Sequence, residues 1–286
     1  MIKAGRYKLR YNGTDLVYKN GFLLVGWSGG GINDTAATIP YGSGDGSFVS
    51  KYRATDRQII IKIRVFRPWQ QEAVYKLFKQ RRSGTLTHIS DNNEEKAKEI
   101  DCIFISAEAS ESTFPKEISV TLLCPYPLWR SKAKSVEQIC GTMNCWQFPW
   151  TFPSKQDFVF ARSKSGNSVI FDYGGTLPTG FVAVVKTKQA LSYVKLTDFY
   201  SREQLYIEYN FPEGAEIIID TQSGGSKGAK WRRQGEQQYT DISTAIEWGS
   251  VYLTLESGQN RIQLSTSIGT DGIDAYIEFT EKAGGV

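Results

Sequence analysis

The chain has 286 residues, of which 40% are hydrophobic and 13% aromatic, so it can bury a large core and its length predicts about two domains. Its formal net charge is only +4, and basic residues alternate with acidic ones along the whole length, which argues against a dedicated nucleic-acid-binding protein. No stretch approaches the roughly 20 apolar residues of a membrane span, and residues 1–10 lack the apolar core of a signal peptide. We therefore expect a soluble protein made in the cytoplasm, without membrane insertion.

The first part of the chain is predicted to be mainly β-structure. Tyr7, Leu9 and Tyr11 alternate with charged residues, as in a half-buried strand. The clearest strand is Gln58–Phe66, because isoleucines and a valine recur at every second position. Further strands are expected within Leu16–Trp27 and at Ser47–Tyr52, Leu86–Ser90, Asp101–Glu108 and Glu117–Leu123.

One helix is predicted between these strands. Pro68 suits a first helical turn, and an apolar stripe recurs at helical spacing from Trp69 to about Gln80. The stripe is best explained as core, and Arg81 and Arg82 complement the helix dipole.

Two glycine-rich segments are predicted to be a loop and a turn. Gly29, Gly30 and Gly31 form a predicted loop within Gly26–Thr38. Tyr41–Ser47 carries Asp45 and Gly46, and a strand-like run follows it. A phosphate-binding loop would need a helix there, so a hairpin turn is the better interpretation.

A hinge is predicted at Thr121–Ser131. Pro125 and Pro127 remove backbone donors and forbid further strand pairing, so a strand must end before them. Trp129 is too apolar for a free linker and is expected to dock on a neighbouring domain. We therefore predict a first domain at residues 1–131.

Residues 132–160 are predicted to be a linker and lead-in segment. Its aromatic residues stand beside prolines without periodicity, which favours packing on a domain over a sugar-stacking or peptide-docking platform. Cys140 and Cys145 have no zinc-like spacing.

Residues 161–286 are predicted to form an antiparallel β-sandwich. Eight short alternating runs are separated by turn residues, with no helical pattern between them, which excludes a parallel α/β sheet. The predicted strands are Ser168–Tyr173, Gly180–Lys186, Ser192–Thr197, Gln204–Tyr209, Ala215–Thr221, Ser250–Glu256, Asn260–Thr266 and Asp274–Thr280.

Catalysis is not indicated. His88 is the single histidine and stands in a strand pattern, where a structural role is favoured. Neighbouring lysines make a solvated face the better explanation for the charged run with Glu94, Glu95 and Glu99 than a metal site. We expect no enzyme activity and no cofactor or metal. Carboxylates that a β-sandwich could in principle assemble into a glycosidase pair are Asp220, Asp241, Asp271, Asp274 and Glu278.

The order of these segments resembles the siphophage distal tail protein family. The resemblance covers nearly the whole chain, apart from the stretch with Cys140, Cys145 and Trp146. It is carried by the proline and aromatic run at Thr121–Ser131, the loop Thr38–Ser47 with its Asp-Gly pair, the strand Arg57–Phe66 and its following helix, Asn167–Pro178, Glu213–Thr221, and the run from Leu253 to Ile262.

The resemblance implies a structural role in the virion, at the tip of a phage tail. The first domain would be a belt domain that closes a ring, of roughly six copies, and the second a galectin-like sandwich. The expected partners are further copies of the chain, the tail tube protein and a tail-associated tip protein, with the tape measure protein and receptor-binding proteins as further candidates. DNA would only pass through the central channel of the ring. The glycine-rich loops would supply interface residues, and Pro125, Pro127 and Trp129 the domain junction.

Two rival functions stay open. A carbohydrate-binding module would use exposed aromatic residues such as Trp231 or Trp248 for sugar stacking. A cell-wall hydrolase would need a pair of carboxylates that the spacing does not indicate.

Overall fold

The computed structural model describes residues 7–17, 20–31, 34–40, 45, 47–79, 82–111, 113–144, 161–222, 227–270 and 272–286. The chain divides into two compact units. The first unit contains Met1–Ala133 together with Lys282–Val286, and the second contains Lys134–Glu281. Among the described residues, the helices are too short and too polar to cross a bilayer.

Strands, one α-helix and short 3-10 helices at Glu94–Lys96 and Ser243–Ala245 make up the described secondary structure. The first unit contains β1 (Tyr7–Tyr11), β2 (Thr14–Asp15), β3 (Leu23–Ser28), β4 (Asp34–Pro40), β5 (Ser47–Ala54), β6 (Arg57–Val65), α1 (Pro68–Leu77), β7 (Ser83–Ser90), β8 (Lys98–Ala109), β9 (Lys116–Cys124) and β10 (Trp129–Ser131). The second unit contains β11 (Ser135–Asn144), β12 (Ala161–Lys164), β13 (Ser168–Tyr173), β14 (Val182–Thr187), β15 (Leu191–Asp198), β16 (Gln204–Phe211), β17 (Ala215–Asp220), β18 (Gly228–Arg233), β19 (Thr240–Asp241), β20 (Gly258–Thr266) and β21 (Ile273–Phe279). β22 (Lys282–Ala283) returns to the first unit.

The first unit is built on one antiparallel sheet. Its described strands run in the order β2-β1-β7-β8-β9-β6-β3, with β10 and β22 attached beside β8, while β4 and β5 form a separate hairpin. Every second residue of β6 points into the core, so Ile59, Ile61 and Ile63 are fully buried. Val74 and Phe78 of the helical segment pack on the same core.

Helix α1 starts where the sequence predicts it and stops earlier. The side chain of Gln70 accepts hydrogen bonds from the backbone N–H groups of Phe66 and Arg67, at 2.7 and 3.0 Å, which satisfies donors that a helix start leaves open. The helix ends at Leu77 rather than near Gln80, because Phe78 leaves helical geometry to bury its ring beside Tyr11. Gln80 and Arg81 lie outside the described residues.

An aromatic cluster of four rings draws distant strands of the sheet together. Trp27 lies on edge strand β3, yet its ring centroid is 6.3 Å from that of Tyr7 on β1 and 5.4 Å from that of His88 on β7. Trp129 completes the cluster, with its ring 6.1 Å from Trp27 and 6.4 Å from His88. A flat sheet would hold β3 and β1 several strand spacings apart, so the sheet must curl strongly around its core.

The segment 282–286 completes the first unit. In strand β22, Ala283 pairs with Trp129 of β10 and Lys282 pairs with Arg130. The buried guanidinium of Arg57 donates to the carbonyl of Gly284 and also to that of Gly30, while the N–H of Val286 donates to Gly30. A buried charge is thus held partly by backbone carbonyls of this segment.

The second unit is a sandwich of two antiparallel sheets. One sheet runs β12-β11-β21-β14-β17-β18-β19 and the other β13-β20-β15-β16, for the strands that the structure describes. Alternating residues of both sheets form one core, as in β21, where Ile273, Ala275, Ile277 and Phe279 are buried. The mainly β fold class, with one α-helix in the first unit and a sandwich in the second, is therefore confirmed.

Three segments of the second unit differ from the sequence-based predictions. Residues 250–256 form no strand: Leu253 and Leu255 alternate and are buried, but the segment makes only an isolated bridge between Leu255 and Thr179. Gly228–Arg233 is a strand in which Ala229 and Trp231 contribute to the core, a pattern hidden by three basic residues. Ser135–Asn144, within the predicted linker 132–160, is a strand because it pairs with β21 despite a bulge between Gln138 and Cys140.

Removal of residues 284–286 is expected to destabilise the first unit by about 2–3 kcal/mol, because the buried Arg57 guanidinium loses a charge-assisted hydrogen bond. Urea unfolding measures the loss, and hydrogen exchange should rise in β10 and β6. Lys98→Met is the matched control, since it removes only the bond from Lys98 Nζ to the Gly285 carbonyl at a partly solvated site. Equal stability of the truncated and full chains would contradict this role for the segment.

Candidate interaction surfaces

His88 is a buried core residue in the aromatic cluster. Its side chain is 7% exposed, and its ring stacks on Tyr7 with centroids 5.6 Å apart. Burial, with a smaller effect from Lys98, lowers the pKa of His88 below its usual value. The imidazole is therefore neutral at pH 7 and held between aromatic rings, which suits packing.

The acidic residues singled out by the sequence are engaged in local contacts. Glu94 binds Arg10 at 2.8 Å, and this hydrogen bond lowers the pKa of Glu94. Asp274 binds Lys188 at 3.1 Å, and Glu278 lies 4.0 Å from Lys134. No group of three or more potential metal ligands occurs within the described ranges, from which Asp271 is missing.

The structure brings together two carboxylates that sequence spacing did not pair. Asp220 and Asp241 line one cavity of about 170 Å³ beside β17, β18 and β19. Each accepts a hydrogen bond from the backbone N–H two residues later, at 2.9 Å for Asp220 and 2.8 Å for Asp241. Hydrogen bonds from Ser243 lower the pKa of Asp241, whereas a glycosidase general acid needs a raised pKa.

The cysteines of the described ranges are buried free thiols at Cys102, Cys124 and Cys140. Burial raises the pKa of Cys140 to about 11, so it is unreactive at neutral pH. Cys145 and Trp146 lie outside the described residues.

Gly29 and Gly30 are needed inside the first unit. Gly29 has a φ of +91°, and a Cβ atom there would stand 2.0 Å from the carbonyl oxygen of Gln58. A Cβ atom on Gly30 would stand 2.3 Å from the ring of Trp27, whereas one on Gly31 would meet nothing within 4 Å. β3 ends at Ser28 and β4 begins at Asp34, so the loop is shorter than the Gly26–Thr38 span in which it was predicted. Contacts of Gly29, Gly30 and Gly31 with another chain stay a prediction.

The second glycine-rich segment lies between the strands of a hairpin. β4 and β5 pair up to Pro40 and Ser47, and exposed Asp45 lies between them. Tyr41–Gly44 and Gly46 are outside the described residues. The interface role of Asp45 and Gly46 is not tested by this geometry.

The predicted hinge ends one strand and starts another. β9 stops at Cys124, directly before the exposed Pro125, and Pro127 is buried. Trp129 is fully buried in the core of the first unit, and the next residue, Arg130, holds Asp101 at 2.7 Å. The Trp129 side chain is thus an anchor of the first unit, and the assignment of Pro125, Pro127 and Trp129 to a domain junction stays a prediction.

An apolar patch lies on the outer face of the first-unit sheet. Ile103 and Ile105 of β8 are 37% and 52% exposed. Cys102 and Phe104, which alternate with them along the strand, face the core. Leu123 of β9 pairs directly with Ile103 and is half-buried on the same face. We call Ile103, Ile105 and Leu123 the sheet patch. Contiguous exposed apolar residues of this kind mark contact surfaces.

Three exposed aromatic residues lie on and before the helix. Trp69 is 56% exposed, and Phe66 and Tyr75 are similarly open to solvent. We call these three residues the helix patch. It is chemically different from the sheet patch, being aromatic where the sheet patch is aliphatic, and it belongs to a different layer of the unit.

The two tryptophans considered for sugar stacking lie in contrasting environments. Trp231 is half-buried and packs against the sandwich core beside Tyr209 and Phe211, so part of its ring is covered. Trp248 is fully exposed on a turn that is fixed by a hydrogen bond from the N–H of Glu247 to the Tyr206 carbonyl.

A family model matches the second unit. Residues 174–282 match SPP1 Dit, the C-terminal domain of a siphovirus-type tail component. These residues are similar to this family of siphovirus tail components. The match begins at the turn after β13 and covers the sandwich strands β14 to β21. The recognition of a distal tail protein from the sequence is confirmed.

One solved structure of a phage protein shares the fold, and two others align more weakly. The crystal structure of phage SPP1 Dit, described as a paradigm of the hub adsorption apparatus in phages that infect Gram-positive bacteria, aligns with a TM-score of 0.70 at 12% identity, covering 96% of this chain and 98% of that one. Two activated phage p2 baseplate structures, with strontium and with calcium, align with TM-scores of 0.44 at 10% and 12% identity. The strontium and calcium alignments cover 96% and 98% of this chain, and 97% and 99% of the respective baseplate chains. No curated protein matches the sequence.

Sequence reasoning missed both apolar patches of the first unit. A signal for the sheet patch was present, because residues 102–105 are apolar at every position, and a half-buried strand should alternate. The helix patch was missed because Trp69 was predicted to belong to the buried apolar stripe of the helix. That prediction was wrong for Trp69, which is 56% exposed.

Gly29→Ala is expected to lower the free energy of unfolding by about 2–4 kcal/mol, since the new methyl group combines a positive φ with a backbone clash. Gly31→Ala, two residues away with open space around it, should stay within about 0.5 kcal/mol of the wild type. Chemical denaturation of the two variants measures the difference in the free energy of unfolding. Similar free energies for both variants would contradict a structural requirement for glycine at position 29.

The first unit should lose stability on acidification from pH 7 to pH 5 because of His88. The unfolded chain binds a proton on this side chain near its ordinary pKa of about 6.5, whereas the folded chain resists protonation until lower pH. Unfolding free energy therefore falls as the pH drops through that value. His88→Phe retains an aromatic ring without a titrating group and should flatten this slope in urea titrations. An unchanged slope in the variant would show that other groups are responsible.

Proposed function

We propose that the protein is a structural component of a phage tail that forms a ring between the distal end of the tail tube and the baseplate or tail tip. The ring serves as a hub for host-adsorption proteins. The observation that carries this proposal is the match of residues 174–282 to the tail-component domain. The whole-chain likeness to a phage hub protein agrees with it in fold.

The two patches of the first unit support a ring. A ring arises when one surface of a subunit binds a different surface of the next, and the rotation closes. The aliphatic sheet patch and the aromatic helix patch are two such different surfaces on one unit. Burial of both patches between copies removes apolar surface from water, which stabilises the contact by about 25 cal/mol for each Å² buried.

The hairpin β4–β5 supports further contacts. Within the described chain it pairs only with itself and is separate from the main sheet. An isolated two-stranded hairpin is at best marginally stable in water, so a neighbouring copy is the natural surface for it to pack on. Asp45 and Gly46, at its turn, are proposed interface residues with Gly29, Gly30 and Gly31.

The remaining roles follow from the position of the ring. One ring face docks on the tail tube protein and the other on the tail-associated tip protein, with a channel for DNA and the tape measure protein. The second unit, a galectin-like sandwich, offers attachment surface for receptor-binding or other baseplate proteins. The protein acts in the virion, without catalysis.

Carbohydrate binding is the second candidate. The fully exposed ring of Trp248 favours it, because an accessible aromatic face on a fixed turn can stack on a sugar. Loss of glycan-array binding in Trp248→Ala would support this candidate.

Electron microscopy of the purified protein should show rings of about six subunits. Ile105→Lys should convert rings to monomers, because a charge in the middle of the sheet patch must be desolvated in the contact. Val136→Lys is the matched control, since Val136 is 43% exposed on the second unit and should leave rings intact. A strictly monomeric wild type at high concentration, even with tube protein added, would count against the proposal.

A further inference from the structure

The second unit carries an exposed patch built around an arginine. Ile170, Phe199 and Tyr200 are 55%, 49% and 54% exposed. Arg261 lies opposite Ile170 on the neighbouring strand, and Gln259 is two residues away on the same face. We call these five residues the Arg261 patch.

Main-chain hydrogen bonds hold the aromatic residues of the patch in place. The N–H of Phe199 donates to the carbonyl of Arg261 at 3.0 Å, and the N–H of Tyr200 donates to the Asp198 carboxylate at 3.0 Å. Asp198 is buried and also accepts a hydrogen bond from the hydroxyl of Ser201 at 2.9 Å. The turn that presents both rings is therefore preorganised, which lowers the entropy cost of binding.

Arg261 is positioned but has no acceptor. Its guanidinium carbon lies 4.2 Å from the ring centre of Phe199, a stacking arrangement that fixes the plane of the group. Within the described ranges no carboxylate pairs with Arg261, and its Nε is buried without a hydrogen-bond partner. Asp172 lies on the same face, opposite Gln259, and makes no ion pair with Arg261. An oriented, unpaired guanidinium is suited to bind a carboxylate through two parallel hydrogen bonds.

Gln259 and Tyr200 provide a polar margin. The hydroxyl of Tyr200 donates to the side-chain oxygen of Gln259 at 2.8 Å, so this bond does not use the amide nitrogen of Gln259 as a donor. The patch thus combines three half-exposed apolar side chains, one cation and one amide donor. Tyrosine, phenylalanine and arginine grouped in this way are typical of protein interface hot spots.

We propose that the Arg261 patch is a docking site for a protein partner that presents an aspartate or glutamate beside apolar side chains. The acidic group would pair with Arg261, and the apolar residues would cover Ile170 and Phe199. A sugar fits less well, because Ile170 offers it no hydrogen bond and the ring of Phe199 is already covered by Arg261. The inference rests on the proposed attachment role of the second unit, for which it names a surface and the chemistry of the partner.

The test uses intact tail particles assembled with a photoreactive p-benzoylphenylalanine at position 200. Irradiation should link this position to a different protein, at a segment that contains Asp or Glu beside apolar residues. The same photoreactive group at exposed Gln237 is the control and should not give that product. Arg261→Glu should lower the yield by ~10-fold or more, because like charges would then face each other. Arg261→Lys should retain part of it.

Replacement of the linked acidic residue of the partner by arginine should restore the yield in the Arg261→Glu background. Restoration supports direct pairing, and a loss of yield that no partner charge reverses overturns it. Linkage only to another copy of this chain, no linkage in assembled particles, or linkage abolished by purified wall glycan also overturns the inference. If the assembled particles do not contain this protein at all, the proposed function is refuted as well. This outcome distinguishes failure of the proposed function from failure of the docking inference alone.

Discussion

The contact of the half-buried Trp27 with Trp129, Tyr7 and His88 is the constraint on which the first unit depends. These rings come from strands that a flat sheet would keep far apart, and they meet only because the sheet curls. The curl sends alternate residues of β6, β8 and β9 into one core and leaves Ile103 and Ile105 on the opposite face. The apolar surface offered for assembly is therefore a direct result of how the core closes.

The same constraint explains the glycines and the returning segment. Gly30 lies against the ring of Trp27, so the chain can pass there only without a side chain. Its carbonyl accepts hydrogen bonds from Arg57 and from Val286, and Ala283 of strand β22 pairs with Trp129. A residue type that suggests flexibility in the sequence is here a requirement of close packing. In the second unit, by contrast, a regular alternation builds the sandwich, and function is left to outward-facing residues such as Arg261.

Much of the fold could be predicted from the sequence, and the sites only in part. Alternation in β6, β13, β20 and β21 specified their inward faces, and Pro125 marked the end of β9 within one residue. Strand β18 was missed because Lys230, Arg232 and Arg233 hide the alternation of Ala229 and Trp231. Residues 250–256 were wrongly predicted as a strand. The alternation of Leu253 and Leu255 indicates which side chains are buried, but it does not show whether a neighbouring strand is available for pairing. The Arg261 patch and the closeness of Asp220 to Asp241 depend on strand order, which local patterns do not encode.

The central claim is that copies of the chain join through two different surfaces, and paired cysteines test it most directly. A protein with Ile105→Cys and Trp69→Cys should form, on oxidation, a ladder of covalent oligomers that stops at a closed ring, because each copy then supplies both halves of the bond. Each single variant should give no ladder. A ladder without an upper limit, or dimers of equal yield from the single variants, would contradict a ring closed by the sheet patch and the helix patch.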